Sequence, residues 1–259
     1  MLTCGYYVKF VLSKQYEKEN IMKRTIHRAN TRGHANHGWL VSSHTFSFAG
    51  YYNPERIHFG ALRVLNDDHV AAGMGFGSHP HDNMEIISIP LEGALEHKDN
   101  TGRHKIINSN DVQIMSAGRG IVHSEYNASK TDPVKFLQIW VFPKVRDIQP
   151  RYDQKTFDPS QRENQLQKVV APTESENTLF INQDAWFSLG KFDAGKATNY
   201  TMQHPGNGAY IFVLNGKVEV DGEVLEARDA IGIEDATSID IKALENAEYL
   251  VMDVPMHLN

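Results

Sequence analysis

Gly73-Met-Gly-Phe-Gly-Ser-His79-Pro80-His81-Asp-Asn-Met-Glu85-Ile-Ile-Ser-Ile89 sets two histidines two residues apart, just ahead of an apolar, β-branched run. On a helix those imidazoles would point roughly 200° apart; on a strand, where side chains alternate, they face the same way. Further along, His123-Ser124-Glu125 repeats the spacing with a carboxylate in second place. If both segments are strands of one barrel, two same-face pairs can converge on a point inside it. Three neutral nitrogens and one carboxylate suit Fe(II), Mn(II), Ni(II), Cu(II) or Zn(II). Either step alone is more often a surface feature. The two together, each beside glycine-rich turns, are the stronger signal.

Outward from this stretch the chain reads as strands. The segments starting at Phe59, Glu85, Gln113, Phe136 and Tyr210 are short and apolar, and long 3.6-residue periodicities are scarce. Asp99-Asn100-Thr101-Gly102 and Asn215-Gly216 carry hairpin chemistry, and Asp221-Gly222 fits a type I′ turn. The fold class expected is all-β, two antiparallel β-barrels in tandem. Pro143, Pro150 and Pro159 interrupt the pattern among charged and amide residues. The expected division is therefore a metal-binding domain over 22–145, a linker over 146–162 and a second domain over 163–259. Asp111 and Asp229 follow similar strand-and-turn patterns, a faint internal repeat. Residues 1–21 show no folding pattern and are expected to be a disordered extension, with Met22-Lys23-Arg24 as a natural start.

Composition narrows the class. The 259 residues suit two domains of ordinary size, and 41% hydrophobic with 22% charged residues can bury two cores. A net charge of -6 without a basic block argues against direct nucleic-acid binding. No apolar run approaches the ~20 residues of a membrane span, and no signal peptide is evident. Cys4 is the single cysteine, which rules out an intrachain disulfide and a thiolate cage and fits a cytoplasmic setting. A monomer is expected.

Of 13 histidines, 11 lie at or before His123. His97 and His104 flank the Asp99–Gly102 turn and are expected to be solvated. His27, His34, His37 and His44 sit in a polar segment and are expected to cap or bridge.

Gly73, His79, His81, Glu85 and Gly93 resemble the first cupin motif, and Gly120, His123 and Asn127 the end of the second. More narrowly, His79-Pro80-His81 followed by Ala117-Gly118-Arg119-Gly120-Ile121-Val122-His123-Ser124-Glu125 resembles the pirin family, with its bacterial quercetin 2,3-dioxygenase-like members. The likeness runs from about Met22 to the C-terminus. It implies a bicupin fold and one metal ion, Fe(II) foremost, on His79, His81, His123 and Glu125. In many other cupins the glutamate after H-x-H is the ligand, here Glu85. Strand parity leaves Glu85 open, and its expected role is to orient an imidazole. His204-Pro205-Gly206 resembles a decayed copy of the motif, so the second domain is expected to be scaffold.

Three functions fit this resemblance. The first is a dioxygenase taking O2 and a small aromatic or enediol substrate such as quercetin, with Glu125 as catalytic base. The second is an iron-dependent redox-sensing regulator with a protein partner, although no aromatic stripe or charge block marks a surface for one. The third is a metal-stabilised barrel without turnover, or an isomerase.

Overall fold

The computed structural model describes residues 22–258, so the expected extension over 1–21 lies outside the described residues. Among these there is no α-helix, only single helical turns at Ala29–Thr31 and Pro159–Arg162. The first half carries β1 (Lys23–His27), β2 (Gly33–Asn36), β3 (Leu40–His44), β4 (Leu62–Val70), β5 (Gly75–His81) and β6 (Glu85–Glu92). It continues with β7 (Ala94–Asp99), β8 (His104–Asn108), β9 (Asp111–Ser116), β10 (Ile121–Asn127), β11 (Val134–Val141) and β12 (Arg151–Thr156). The second half carries β13 (Leu166–Ala171), β14 (Leu179–Phe180), β15 (Trp186–Phe192), β16 (Ala197–Thr201) and β17 (Asn207–Asn215). It ends with β18 (Lys217–Val220), β19 (Glu223–Glu226), β20 (Ala230–Glu234), β21 (Ser238–Ala243) and β22 (Ala247–Pro255).

These strands build one sandwich twice. In the first copy the seven-stranded sheet β12-β9-β6-β11-β4-β3-β2 faces the four-stranded sheet β5-β10-β7-β8. In the second, β1-β20-β17-β22-β15-β13-β14 faces β16-β21-β18-β19. The two orders correspond except at the far edge, where β2 precedes β3 in the chain but β14 follows β13, so the faint repeat is a duplicated topology. Pairing between the named strands is antiparallel apart from β13 with β14. Neither copy closes into a hydrogen-bonded barrel; each is a two-sheet cupin sandwich. Asp221 (φ 45) and Gly222 (φ 86) both take left-handed backbone between β18 and β19, as a type I′ turn requires.

Two expected boundaries are corrected by strand exchange. β1, placed by sequence in the first domain, runs along β20 from Lys23↔Glu234 to His27↔Ala230. β12, placed in the linker, runs along β9 from Arg151↔Ser116 to Thr156↔Asp111. Each copy's leading strand thus completes the other copy's sheet. Both are polar edge strands, where proline neighbours and charge are tolerated, and so they read as loop. The two matched aspartates anchor them. Asp111 accepts from the Asn108 N–H (2.7 Å), the Gln154 amide (2.9 Å) and the Thr156 hydroxyl. Asp229 accepts from the Glu226 N–H (3.2 Å), the Ala29 N–H (2.7 Å) and Arg28 (2.8 Å).

The two long sheets pack back to back. Leu65, Ile87, Leu137 and Ile139 meet Phe187, Leu189, Phe212, Leu250 and Met252 in one apolar core. The inner face of the second copy is also apolar, filled by Ile211, Val213, Ile231, Ile233, Tyr249 and Val251. The first copy differs. A cross-strand row of His44, Asn66, Gln138, Ser88 and Gln113 runs across its inner face. Apolar layers around Phe136 and around Ile86 bound it on either side. The second copy keeps one buried polar cluster, Asp253 accepting from the Tyr200 hydroxyl at 2.8 Å and the Asn207 amide at 2.6 Å, whereas the first copy's polar row crosses five strands.

His27 reports on the exchange. It is buried, its Nδ1 lies 2.7 Å from the Tyr210 hydroxyl, and burial, with the Arg56 charge behind it, lowers it to about 4. The unfolded residue titrates near 6.5, so between about 4 and 6.5 the unfolded chain binds the extra proton. Stability is then full above that window and declines as pH falls through it. His27→Gln is expected to flatten the fall in unfolding free energy between pH 6.5 and 4 by up to about 3 kcal/mol. An unchanged slope in denaturant titrations across that range would contradict the assignment.

Candidate metal centre

β5 and β10 are neighbours in the small sheet of the first copy, and their register sets His79 directly opposite His123. His81 lies two residues along β5, on the same face. The ring centroids are 4.8 Å apart for His79–His81, 4.5 Å for His79–His123 and 4.9 Å for His81–His123. One ligand-type nitrogen from each lies within 4.8 Å of the other two. The register shifts between His123 and Glu125, a bulge of the kind that re-aims side chains.

Glu125 is fully buried on the inner face of β10. Its Oε2 accepts from the Gln138 amide at 2.7 Å, and its Oε1 lies 3.0 Å from the Ser88 hydroxyl. Both partners belong to the polar row on the large sheet. Glu125 falls in a second close group, with His97 and His123, whose ligand atoms also lie within 4.8 Å of one another. The four residues expected as ligands therefore meet at His123, shared by both groups, and do not form one such set.

His97 corrects an expectation. It is not solvated but fully buried, opposite Glu125 on β7, with its Nε2 3.2 Å from Asp99 Oδ2. Its Nδ1 lies 3.5 Å from His123 Nδ1. Because a carboxylate can only accept, His97 Nε2 carries a proton toward Asp99, and in the tautomer protonated there Nδ1 is an acceptor. His123 then donates through Nδ1, which leaves its Nε2 lone pair aimed inward. That Nε2 is buried with no hydrogen-bond partner among the described residues. His79 is fixed in the same sense, donating Nδ1–H to the Gly77 carbonyl at 2.8 Å. The sequence signal for His97 was Leu95-x-His97-x-Asp99, one strand face led by a core leucine. His104, by contrast, is exposed and paired with Glu96 at 2.5 Å.

Glu85 is a second correction. It shares a face of β6 with Ile87 and Ile89, both in the core between the long sheets. It accepts from the Ser116 hydroxyl (2.8 Å) and the Asn182 N–H (3.1 Å) of the second copy, and orients no imidazole. His204 is exposed and stacks on Trp186 at 6.5 Å, with no ligand-type cluster around it among the described residues.

The electrostatics suit a cation. Burial first, then the charge of His79, lowers His81 to about 4; burial and the other imidazoles lower His123 to about 2. Both rings are neutral near pH 7, as ligands must be. Burial pushes the Glu125 carboxyl up. A neighbouring cation reverses that shift, and the orphaned His123 Nε2 is the atom such an ion would satisfy. The residues present fit a divalent metal.

Similarity to known proteins agrees with this reading. The Pirin family profile matches residues 9–141, and a profile described as the quercetinase C-terminal cupin domain matches 168–254. A quercetin 2,3-dioxygenase of Escherichia coli K12 is 42% identical over 231 residues, 89% of this chain and 98% of its own. A pirin-like protein of Caulobacter vibrioides is 40% identical over 222 residues, 85% of this chain and 95% of its own. Among solved structures, the bacterial pirin YhhW of Escherichia coli in complex with nickel(II) superimposes with a TM-score of 0.85 at 40% identity, covering 90% of this chain and 99% of that one. Duplicated cupin topology, a histidine centre in the first copy and relatives matched over most of their length lead to one conclusion: the chain belongs to the pirin family of metal-binding cupins.

Proposed function

We propose that His79, His81, His123 and Glu125 hold one divalent transition metal ion, Fe(II), and that the protein is a dioxygenase for small aromatic enediol compounds of the quercetin type. The observation that carries this is the convergence of three imidazoles, two of them depressed by burial, beside a fully buried carboxylate. The names of the relatives support the substrate class. When bound there, Fe(II) supplies a route for electron density from a chelated substrate to O2, because four protein ligands leave positions open.

The chain's own residues prepare the chemistry around that ion. Asp99 holds His97, and His97 holds the His123 ring in its ligating tautomer. Burial acts to raise Asp99, but hydrogen bonds from Thr101, His97 and the Arg103 backbone outweigh it and keep the carboxylate low and charged. Gln138 and Ser88 fix the Glu125 plane. Glu125 takes the proton of the substrate hydroxyl on Oε1, acting as general base from the position that Gln138 and Ser88 fix. The Trp140 ring stands edge-on to His81 at 4.9 Å and shields that side from water.

Two outcomes test the positioning and the ligands separately. His97→Ala and Asp99→Asn are expected to weaken metal affinity roughly 10–100-fold. The folded sandwich should survive both, read by metal titration alongside circular dichroism. His81→Ala removes a ligand and should empty the site, whereas His204→Ala should change neither metal content nor turnover.

The activity is tested by oxygen uptake with quercetin after anaerobic loading with Fe(II). Wild type and His204→Ala should consume O2, and Glu125→Gln should lose at least about 100-fold in rate, the usual scale for removing a positioned base. Full Fe(II) occupancy without uptake on any enediol compound would sink the enzymatic reading and leave the regulatory one.

A further inference from the structure

β5 ends at His81 and β10 begins at Ile121, so the loops at 82–84 and 117–120 set where His81 and His123 stand. The two loops are tied to each other. The Asn83 N–H donates to the Gly118 carbonyl and the Ala117 N–H to the Met84 carbonyl, both at 2.8 Å. The 142–150 connection between β11 and β12 is then tied to both. Asn83 Nδ2 donates to Asp147 Oδ1 at 3.0 Å, and the Asp147 N–H donates back to Asn83 Oδ1 at 2.7 Å. The Arg119 N–H donates to the Ile148 carbonyl at 3.0 Å, and a Cβ at Gly118 (φ 50) would collide with that carbonyl. Asn83 (φ 46) and Asp147 (φ 57) both take left-handed backbone, which asparagine and aspartate tolerate better than most residues. The same connection is moored to the second copy, at the bend over 182–184 ahead of β15. Asn182 Nδ2 donates to the Val145 carbonyl at 2.7 Å and Gln183 Nε2 to the Phe142 carbonyl at 2.8 Å. The Lys144 N–H donates to the Asn182 carbonyl at 2.6 Å. Asn182 and Gln183 are buried, so these bonds are shielded from water.

We propose that Asn83 and Asp147 are positioning residues of the metal centre, and that the second copy holds them in place through Asn182 and Gln183. β5 is an edge strand, hydrogen-bonded to β10 alone, so its sheet constrains it from one side only. Its far end carries His81, and Asn83 fastens the chain two residues beyond. Gly118 and Arg119, fastened to the same connection, lie just ahead of β10 and His123. The brace therefore grips both ligand strands where they leave the sheet. Groups one step behind the ligands govern metal affinity in this way without touching the ion. The second copy has no ligand-type cluster of its own among the described residues, yet by this route it shares in the first copy's centre. The inference rests on reading His81 and His123 as ligands.

The test titrates the full metal-free chain with Co(II), whose visible d–d bands report the geometry of its ligands. Asn83→Gly keeps the left-handed backbone and removes both side-chain bonds. It should weaken Co(II) binding roughly tenfold and shift the bands at saturation, with circular dichroism unchanged. Asn83→Asp sets two carboxylates face to face and should do the same. Adding Asp147→Asn lets the amide at 147 donate to the carboxylate at 83, and should restore wild-type affinity and bands. This swap decides the matter if Asn83→Gly does not fold. Asn182→Ala with Gln183→Ala should act in the same direction. Combined with Asn83→Gly, that pair should lose less than the product of the separate effects, as members of one network do. Ile211→Val trims the apolar core of the second copy away from the brace and should leave affinity and bands as they are. The inference fails if both Asn83 variants bind Co(II) as wild type does, or if Asp147→Asn does not rescue Asn83→Asp. It also fails if the Asn182 and Gln183 pair has no effect, or if Ile211→Val shifts the bands equally. Wild-type Co(II) binding by His81→Ala would instead reject the ligand reading, and the inference with it. An empty His81→Ala site beside unaffected Asn83 variants rejects the brace alone.

Discussion

Back-to-back packing of the two seven-stranded sheets constrains everything else in the molecule. One face of each long sheet is spent on the other, through Leu137 and Ile139 on one side and Phe187 and Leu250 on the other. Only the inner faces remain free to differ, and they diverge. In the second copy they are closed mostly by Ile and Val, with one buried polar cluster in which Asp253 accepts from Tyr200 and Asn207. In the first, the row from His44 to Gln113 keeps hydrogen-bonding groups inside the sandwich, where the small sheet brings its histidines to meet them. A duplicated fold thus acquires one chemical centre rather than two.

Within that centre burial does two opposite things. It strips protons from imidazoles, since a cluster of rings 4.5–4.9 Å apart cannot share a positive charge at low dielectric. It presses protons onto carboxyls, as at Glu125 and Asp68. Neutral nitrogens beside a carboxyl that resists ionising form a set that one divalent cation settles at once. His97 and Asp99 add orientation from behind, through hydrogen bonds rather than through contact with the inward-facing nitrogen.

Local periodicity was enough to read the histidine pairs. His79, His81, His123 and Glu125 obey the two-residue alternation of strands, and it brought the three histidines onto one point as expected. The same rule could not place Glu85. In a strand buried on both faces nothing in the sequence says which face holds the site, and Glu85 proved to look toward the second copy. His97 was misread because its neighbours form a turn, although Leu95 shares its face and is core. β1 and β12 were misplaced for a different reason. Their partners are remote in sequence, and an edge strand needs little apolar patterning to pair. Register across such distances is a property of the assembled sheets.

The exchange of leading strands also sets an order on assembly. β12 emerges soon after its partner β9, so the first sandwich can complete its long sheet as the chain is made. β1 emerges first of all the described strands, yet its partner β20 ends only at Glu234. Until then β1 has no template, and once β20 forms, its open edge has only β1 to cover it. The earliest strand synthesised is therefore among the last to pair, and the second sandwich is latched shut by a segment that has waited through the making of the first.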